Sequence, residues 1–211
     1  MILLFLGPPG SGKGTQAKRL AERLGFPHIA LGDILREAIR LGTEVGLLAK
    51  GFVEAGKLVP DEITIRITRE RIIRPDCERG FILDGFPRSL IQAQALDETL
   101  KGADYKVVYF EVPLQAVIER NAGRWSCPNC GAVYHVKFNP PKQAGICDKC
   151  GEKLYQRKDD NEEVIKTRFV VYEEQTAPLI KYYEQKGKLL KLNASADISE
   201  VYSRLLKVLG I

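Results

Sequence analysis

A short apolar run, Ile2–Leu6, passes directly into Gly7-Pro-Pro-Gly-Ser-Gly-Lys-Gly-Thr15, and a helical pattern begins at Lys13. A buried strand, a glycine-rich turn and a helix in immediate succession call for a parallel sheet with the turn at its carboxyl edge. Backbone N–H groups of such a turn converge. The helix start adds partial positive charge and Lys13 a full one, so the turn suits a phosphate group. Gly7, Gly12 and Lys13 meet the pattern G-x-x-x-x-G-K, but the hydroxyl that usually follows the lysine arrives one place late, at Thr15, after Gly14.

The rest of the chain repeats the strand–helix theme. Apolar runs mark buried strands at 28–31, 81–84, 106–111 and 189–192. Helical patterns cover 13–24, 33–41, 61–73, 90–100, 114–121, 161–185 and 199–208. This alternation predicts an α/β fold, a doubly wound parallel sheet of five strands. The length, 211 residues, fits one such domain with an insertion. A net charge of +5 suits an anionic small ligand and does not demand a nucleic-acid polymer. The first apolar run has no basic lead, and no run approaches the roughly 18 residues of a membrane span. A cytoplasmic protein without a membrane partner is expected.

Residues 124–158 break the alternation and carry four of the five cysteines. Cys127, Cys130, Cys147 and Cys150 form C-x2-C-x16-C-x2-C, the spacing of a tetrahedral site with four thiolate ligands. Such a closed set leaves no open position, so its role is structural, stapling an insertion too small to hold its own core. Zinc and iron both suit four thiolates; disulfides are disfavoured in a cytosolic chain. Cys77 stands apart and reads as an ordinary packed cysteine.

Charged chemistry gathers at the strand ends. Asp84 closes an apolar strand, where a carboxylate can hold the water shell of Mg²⁺ near phosphates. Asp33 suits either the cap of the next helix or support of that metal. Arg36, Arg88, Arg120, Arg124, Arg157 and Arg168 are scattered in sequence, and Arg124 and Arg157 flank the cysteine insertion. Brought together, they would form the positive collar that phosphoryl transfer needs.

With these residues in view the chain resembles the adenylate kinase family, in its bacterial long form with a zinc-bearing lid. The resemblance spans essentially the whole length. It rests on Gly7–Thr15, Gly32-Asp-Ile-Leu-Arg36, Gly56-Lys-Leu-Val-Pro-Asp61, Asp84-Gly-Phe-Pro-Arg88 with Gln92, Gly123-Arg124, Val133-Tyr-His135 with Asn139-Pro-Pro141, and Gln156-Arg-Lys-Asp-Asp160. The displaced hydroxyl at Thr15 is usual in that family.

The resemblance implies reversible transfer from ATP to AMP giving two ADP, with Mg²⁺, and structural Zn²⁺ in the lid; a self-contained active site makes a monomer the default expectation. Gly10, Ser11, Gly12, Lys13, Gly14 and Thr15 would hold the ATP phosphates. Arg120, Arg124, Val133, Tyr134 and the backbone at Ala196 would hold the rest of ATP. AMP would meet Leu31, Arg36, Lys57, Leu58, Val59, Gly85, Phe86, Pro87, Arg88 and Gln92. Arg157 and Arg168 would reach both phosphate chains, and Lys13, Asp84, Arg88, Arg124, Arg157 and Arg168 would carry the chemistry. The core would comprise 1–123 and 162–211, with a mobile helical monophosphate-binding segment at 30–60. The lid, a small β-rich insertion, would comprise 124–161.

Two positions depart from the family pattern. Leu31 stands where Thr is usual, leaving base discrimination to Gln92, and Trp125 stands where a second Arg often follows Arg124. Leu31 keeps open a kinase for UMP or CMP. The aromatic and basic residues of the insertion, among them Tyr134, Lys137 and Phe138, admit a zinc-ribbon ATPase that binds nucleic acid.

Overall fold

The computed structural model describes residues 1–211, apart from the side chain of Lys158 in the Gln156–Asp160 run. Five strands form a parallel sheet: β1 (Ile2–Leu6), β2 (His28–Ala30), β3 (Phe81–Asp84), β4 (Tyr105–Glu111) and, last in the chain, β7 (Leu189–Asn193). Their order is β2-β3-β1-β4-β7. Leu3, Leu4, Ile82, Leu83, Val107 and Val108 are fully buried. Side chains alternate between faces, so a strand apolar at every position must be covered on both sides. Two apolar cores do this: one centred on Leu4, Leu83, Phe86, Leu179 and Tyr183, the other on Leu3, Phe5, Leu20, Phe110 and Leu205.

The helices are α1 (Lys13–Leu24), α2 (Leu31–Arg40), α3 (Glu44–Glu54), α4 (Asp61–Ile72), α5 (Leu90–Thr99), α6 (Leu114–Ala122), α7 (Glu162–Val171), α8 (Pro178–Gln185) and α9 (Ile198–Leu209). The strands and most helices fall within a residue or two of the sequence reading, with three differences.

First, α2 begins at Leu31, so Asp33 sits in its first turn and caps nothing; Ala30 occupies the cap position. Second, the sequence pattern marks no helix between 42 and 60, yet α3 is there. Gly46 and Gly51 depress its helix propensity, but Gly46 is needed. A Cβ on it would lie 2.1 Å from the Ala38 carbonyl oxygen, so glycine permits the close crossing of α2 and α3. Thr43 caps α3 by accepting from the Gly46 N–H at 3.1 Å. Third, the long helix expected over 161–185 is interrupted by a wide turn, Tyr172–Thr176, before α8 opens on Pro178. Proline lacks the donor and its ring crowds the preceding turn, so the helix widens there instead of continuing straight.

The cysteine insertion holds a two-stranded antiparallel ribbon, β5 (Arg124–Ser126) with β6 (Val133–His135). Isolated bridges Ser126–Tyr155, His135–Asn139 and Ile146–Lys153 extend it. Cys127, Cys147, Tyr134 and Leu154 form its small core, and Trp125 packs against that core. The two cysteine pairs close matching turns, Gly131 N–H to the Cys127 carbonyl at 3.1 Å and Gly151 N–H to the Cys147 carbonyl at 2.9 Å. Cys77 is buried and receives a 3.0 Å contact from Arg71, a packed position away from the cleft. No helix among the described residues is long and apolar enough to cross a membrane.

Candidate active site

Carboxyl ends of β1, β2 and β3 open into a cleft of about 570 Å³ between the sheet and the insertion. The Gly7–Thr15 loop forms its floor, and Gly10, Ser11, Gly12, Lys13, Gly14 and Thr15 all line it. Gly10 has a φ of +79°, and a Cβ there would fall 2.2 Å from the Asn121 amide nitrogen. The loop is thus wedged against α6, and glycine alone fits.

Lys13 folds over this loop. Its ammonium donates to the Gly7 carbonyl at 2.7 Å, the Pro8 carbonyl at 2.8 Å and the Ser11 hydroxyl at 3.1 Å. Burial, together with the charges of Arg88, Arg168 and Arg124, pulls it down to about 7, against the opposing pull of Asp84. A half-buried lysine so depressed gains strongly from an arriving polyanion.

The arginines scattered in sequence converge here. Arg36, Arg88, Arg120, Arg124, Arg157 and Arg168 all line the cleft, and each is held by oxygen atoms. Arg36 donates to Asp33 at 2.7 Å and lies 3.6 Å from Asp159. Arg157 reaches Asp33 at 3.3 Å and the Ser126 hydroxyl at 3.0 Å. Arg168 pairs with Asp159 at 3.0 Å, and Arg124 grips both oxygens of Asp160. Arg88 donates to the Gly85 carbonyl at 2.8 Å. Burial lowers Arg168 to about 9 and Arg157 to about 10, with neighbouring guanidinium groups adding to the effect. Carboxylates therefore hold the collar assembled where phosphate oxygens would otherwise neutralise it.

Arg120 donates to the carbonyls of Ala194, Ser195 and Ala196 at 2.9, 3.2 and 3.1 Å, framing the outer end of the cleft. Val133 and Tyr134 line the same end. The Tyr134 hydroxyl turns away, accepting from the Asp148 N–H at 2.8 Å beside the cysteines. A smaller cavity adjoins the cleft, lined by Leu31, Lys57, Leu58, Val59, Arg88 and Gln92 among others. Gly85 and Pro87 line the main cleft, whereas Phe86 is buried in the sheet core and lines neither space.

Some residues that hold or line the site were not singled out from sequence. Asp159 and Asp160 figured only as parts of a motif, yet they are the partners of the collar. His28 lies at the start of a strand, and its Nε2 faces the Asp84 carboxylate at 3.5 Å. A polar residue at a strand end was the available signal, and the apolar neighbours masked it.

The residues suit both implied metals. The four cysteine sulfurs lie within 4.8 Å of one another, three pairs at 3.5 to 3.6 Å. A tetrahedral zinc with bonds of about 2.3 Å would set them about 3.8 Å apart. Asp84 is fit to support Mg²⁺: it is half-buried at the strand end, lines the cleft, and a Cβ on Gly14 would lie 3.2 Å from its Oδ2. Burial alone would raise its carboxyl, but the His28 contact and the Lys13 charge outweigh this and hold it below the usual carboxylate range.

A phosphate-cradling loop, a strand-end carboxylate and a convergent arginine collar on a doubly wound sheet define a P-loop phosphotransferase. Comparison with known proteins narrows this. The family model described as Adenylate kinase matches residues 5–188. The adenylate kinase of Archaeoglobus fulgidus is 52% identical over 212 residues, covering 99% of this chain and 98% of that protein. That of Syntrophotalea carbinolica is 53% identical, covering 100% and 99%, and that of Geobacillus sp. 49%, again 100% and 99%. The chain belongs to the adenylate kinase family.

Proposed function

We propose that the protein transfers the terminal phosphoryl group of ATP to AMP, reversibly, giving two ADP. The observation that carries this reading is the collar. Six arginines and Lys13 line one cleft floored by the glycine-rich loop, and a smaller cavity adjoins it. In the transfer the bond from the terminal phosphorus to the bridging oxygen breaks, and a phosphate oxygen of AMP forms the new bond. No proton needs to move, so the catalytic demand is for position and positive charge.

Lys13 and the loop N–H groups would hold the donor phosphates, with Arg120, Val133, Tyr134 and the Ala196 carbonyl around the rest of ATP. Arg36 and Arg88 would hold the acceptor phosphate. Arg124, Arg157 and Arg168 would span the two, stabilising charge on the transferring oxygens. Mg²⁺, arriving with ATP, would neutralise phosphate charge, and Asp84 would orient its water shell. The acceptor base would lie between Leu31, Leu58, Val59 and Gln92, close to Lys57, Gly85 and Pro87; Phe86 would support this site from the core.

Residues 124–161 act as a lid over the core of 1–123 and 162–211, and residues 30–60 as the mobile acceptor-binding part. Closure excludes water, so the phosphoryl group meets AMP rather than being hydrolysed. Zinc in the four-cysteine site keeps the lid folded. A site made wholly within one chain supports a monomer working on free cytoplasmic nucleotides, where it would balance ATP, ADP and AMP. The test is to supply Mg²⁺, ATP and AMP, UMP, CMP or GMP in turn and measure ADP. AMP-dependent formation of two ADP per AMP consumed is expected. ATP consumption indifferent to AMP would overturn the reading.

A further inference from the structure

Both cysteine turns of the insertion meet the core on a single helix. Lys18 and Glu22 stand four residues apart on α1, so their side chains share one face. The Lys18 ammonium donates to the carbonyl of Gly131, the residue after Cys130 in the first turn. Lys149, between Cys147 and Cys150 in the second turn, reaches the Glu22 carboxylate at 3.4 Å. The polarity alternates: the core supplies the cation at one contact and the anion at the other.

The two contacts differ in environment. Lys149 and Glu22 are exposed, so their pairing alone is weak and screened by salt. Lys18 is half-buried, and an ammonium withdrawn from water needs its donors satisfied. Gly131 suits that task. Its φ of +64° closes the turn, with its N–H given to the Cys127 carbonyl at 3.1 Å, and its own carbonyl faces Lys18. A Cβ on Gly131 would lie 3.0 Å from the Lys18 ammonium, so glycine leaves room for it. The four cysteine sulfurs lie within 4.8 Å of one another, so the two turns approach α1 as one unit.

We propose that Lys18 and Glu22 form a landing face on α1 for the cysteine turns. Lys18 is a positioning residue, and its grip on Gly131 holds the insertion down over the cleft. The inference rests on the lid reading above and names the surface onto which that lid closes. The latch acts through populations. Breaking it lowers the fraction of protein with the insertion seated, and the apparent affinity for ATP falls with that fraction. Bound nucleotide still draws the arginines into place, so the chemical step is spared, and reopening to release ADP is no slower.

The experiment uses the full-length, metal-loaded protein with ATP and AMP. Lys18→Met keeps the aliphatic stem and removes the donor. Its KM for ATP should rise about tenfold, the worth of one hydrogen bond from a charged group. Its kcat should stay within about twofold of wild type or increase, and its KM for AMP should not change. A general loosening of the fold would move both Michaelis constants. Glu22→Lys sets like charge against Lys149 and should raise the KM for ATP about two- to threefold at low salt. Adding Lys149→Glu restores opposite charges and should recover the wild-type value, and high salt should erase the difference. An unchanged KM for ATP in Lys18→Met, with AMP-dependent activity present, overturns the latch. A kcat lower by more than about tenfold would set the ammonium on the transferring phosphates and overturn it too. Should Lys18→Met not fold, the exposed Glu22 and Lys149 variants decide, and no rise or no recovery overturns the latch. Absence of AMP phosphorylation by the wild-type protein instead overturns the parent reading.

Discussion

The Arg157 guanidinium donates to the Asp33 carboxylate across 3.3 Å, joining residues 124 positions apart in the chain. One lies at the base of the cysteine insertion, the other in the first turn of α2. The contact ties the insertion to the core and holds a guanidinium at the cleft. Arg157→Ala should therefore lower kcat by about a hundredfold or more, the usual cost of removing a preorganised charge at a transferring group. Steady-state kinetics checks this, and a kcat within a fewfold of wild type would contradict it.

Lys13→Met should cut turnover by at least about a hundredfold with little loss of thermal stability. The variant forfeits three hydrogen bonds to the loop, but it also relieves the burial of a charge. Paired kinetics and melting curves separate the two effects. Near-normal turnover would remove Lys13 from the mechanism.

The depressed Lys13 implies a pH dependence with a definite sign. In the free protein its pKa is about 7, so the ammonium that attracts phosphate is lost as pH rises through that value. The ratio kcat/KM for ATP, which reports the free enzyme, should decline above about pH 7. At saturating nucleotide the phosphates favour the charged lysine, so kcat should hold level to higher pH. A kcat/KM that is flat across this range would contradict the assignment.

Stripping the metal proposed for the four-cysteine site should lower the melting temperature, because the insertion's core is small and two of its members, Cys127 and Cys147, belong to the four-cysteine set. Protein stripped cold and assayed at once should retain most activity, since the cysteines do not line the cleft. Trp125, packed on that core, should report metal loss by its fluorescence. Lost activity with an unchanged melting point would give the metal a different role.

If the insertion closes over substrates as proposed, Trp125 emission should also change, since the residue pairs with Tyr134 in the ribbon that borders the cleft. Titration with a bisubstrate analogue that joins ATP to AMP checks this. An unchanged spectrum at saturation would separate Trp125 from the closing motion.

Much of the molecule follows from local pattern. The sheet strands and α1 lie where the apolar runs and the glycine loop put them, because strands buried on both faces leave a continuous signature. The C-x2-C pairs announce their cluster by spacing alone. Helix α3 escapes such reading, since Gly46 weakens the local signal for the sake of contact with Ala38 in another helix. Asp33, readable as a cap, proves to be an arginine partner, because α2 starts two residues earlier than its pattern suggests.

By itself, then, the sequence determined the architecture, the phosphate loop and the four-cysteine cluster, each written in neighbouring residues. Tertiary structure alone decided which charges meet. Arg36, Arg157 and Asp33 share one oxygen, and Asp61 reaches Gln92, because strand ends and helix termini distant in the chain converge at one edge of the sheet. Those pairings depend on long-range contacts, and no local spacing encodes them.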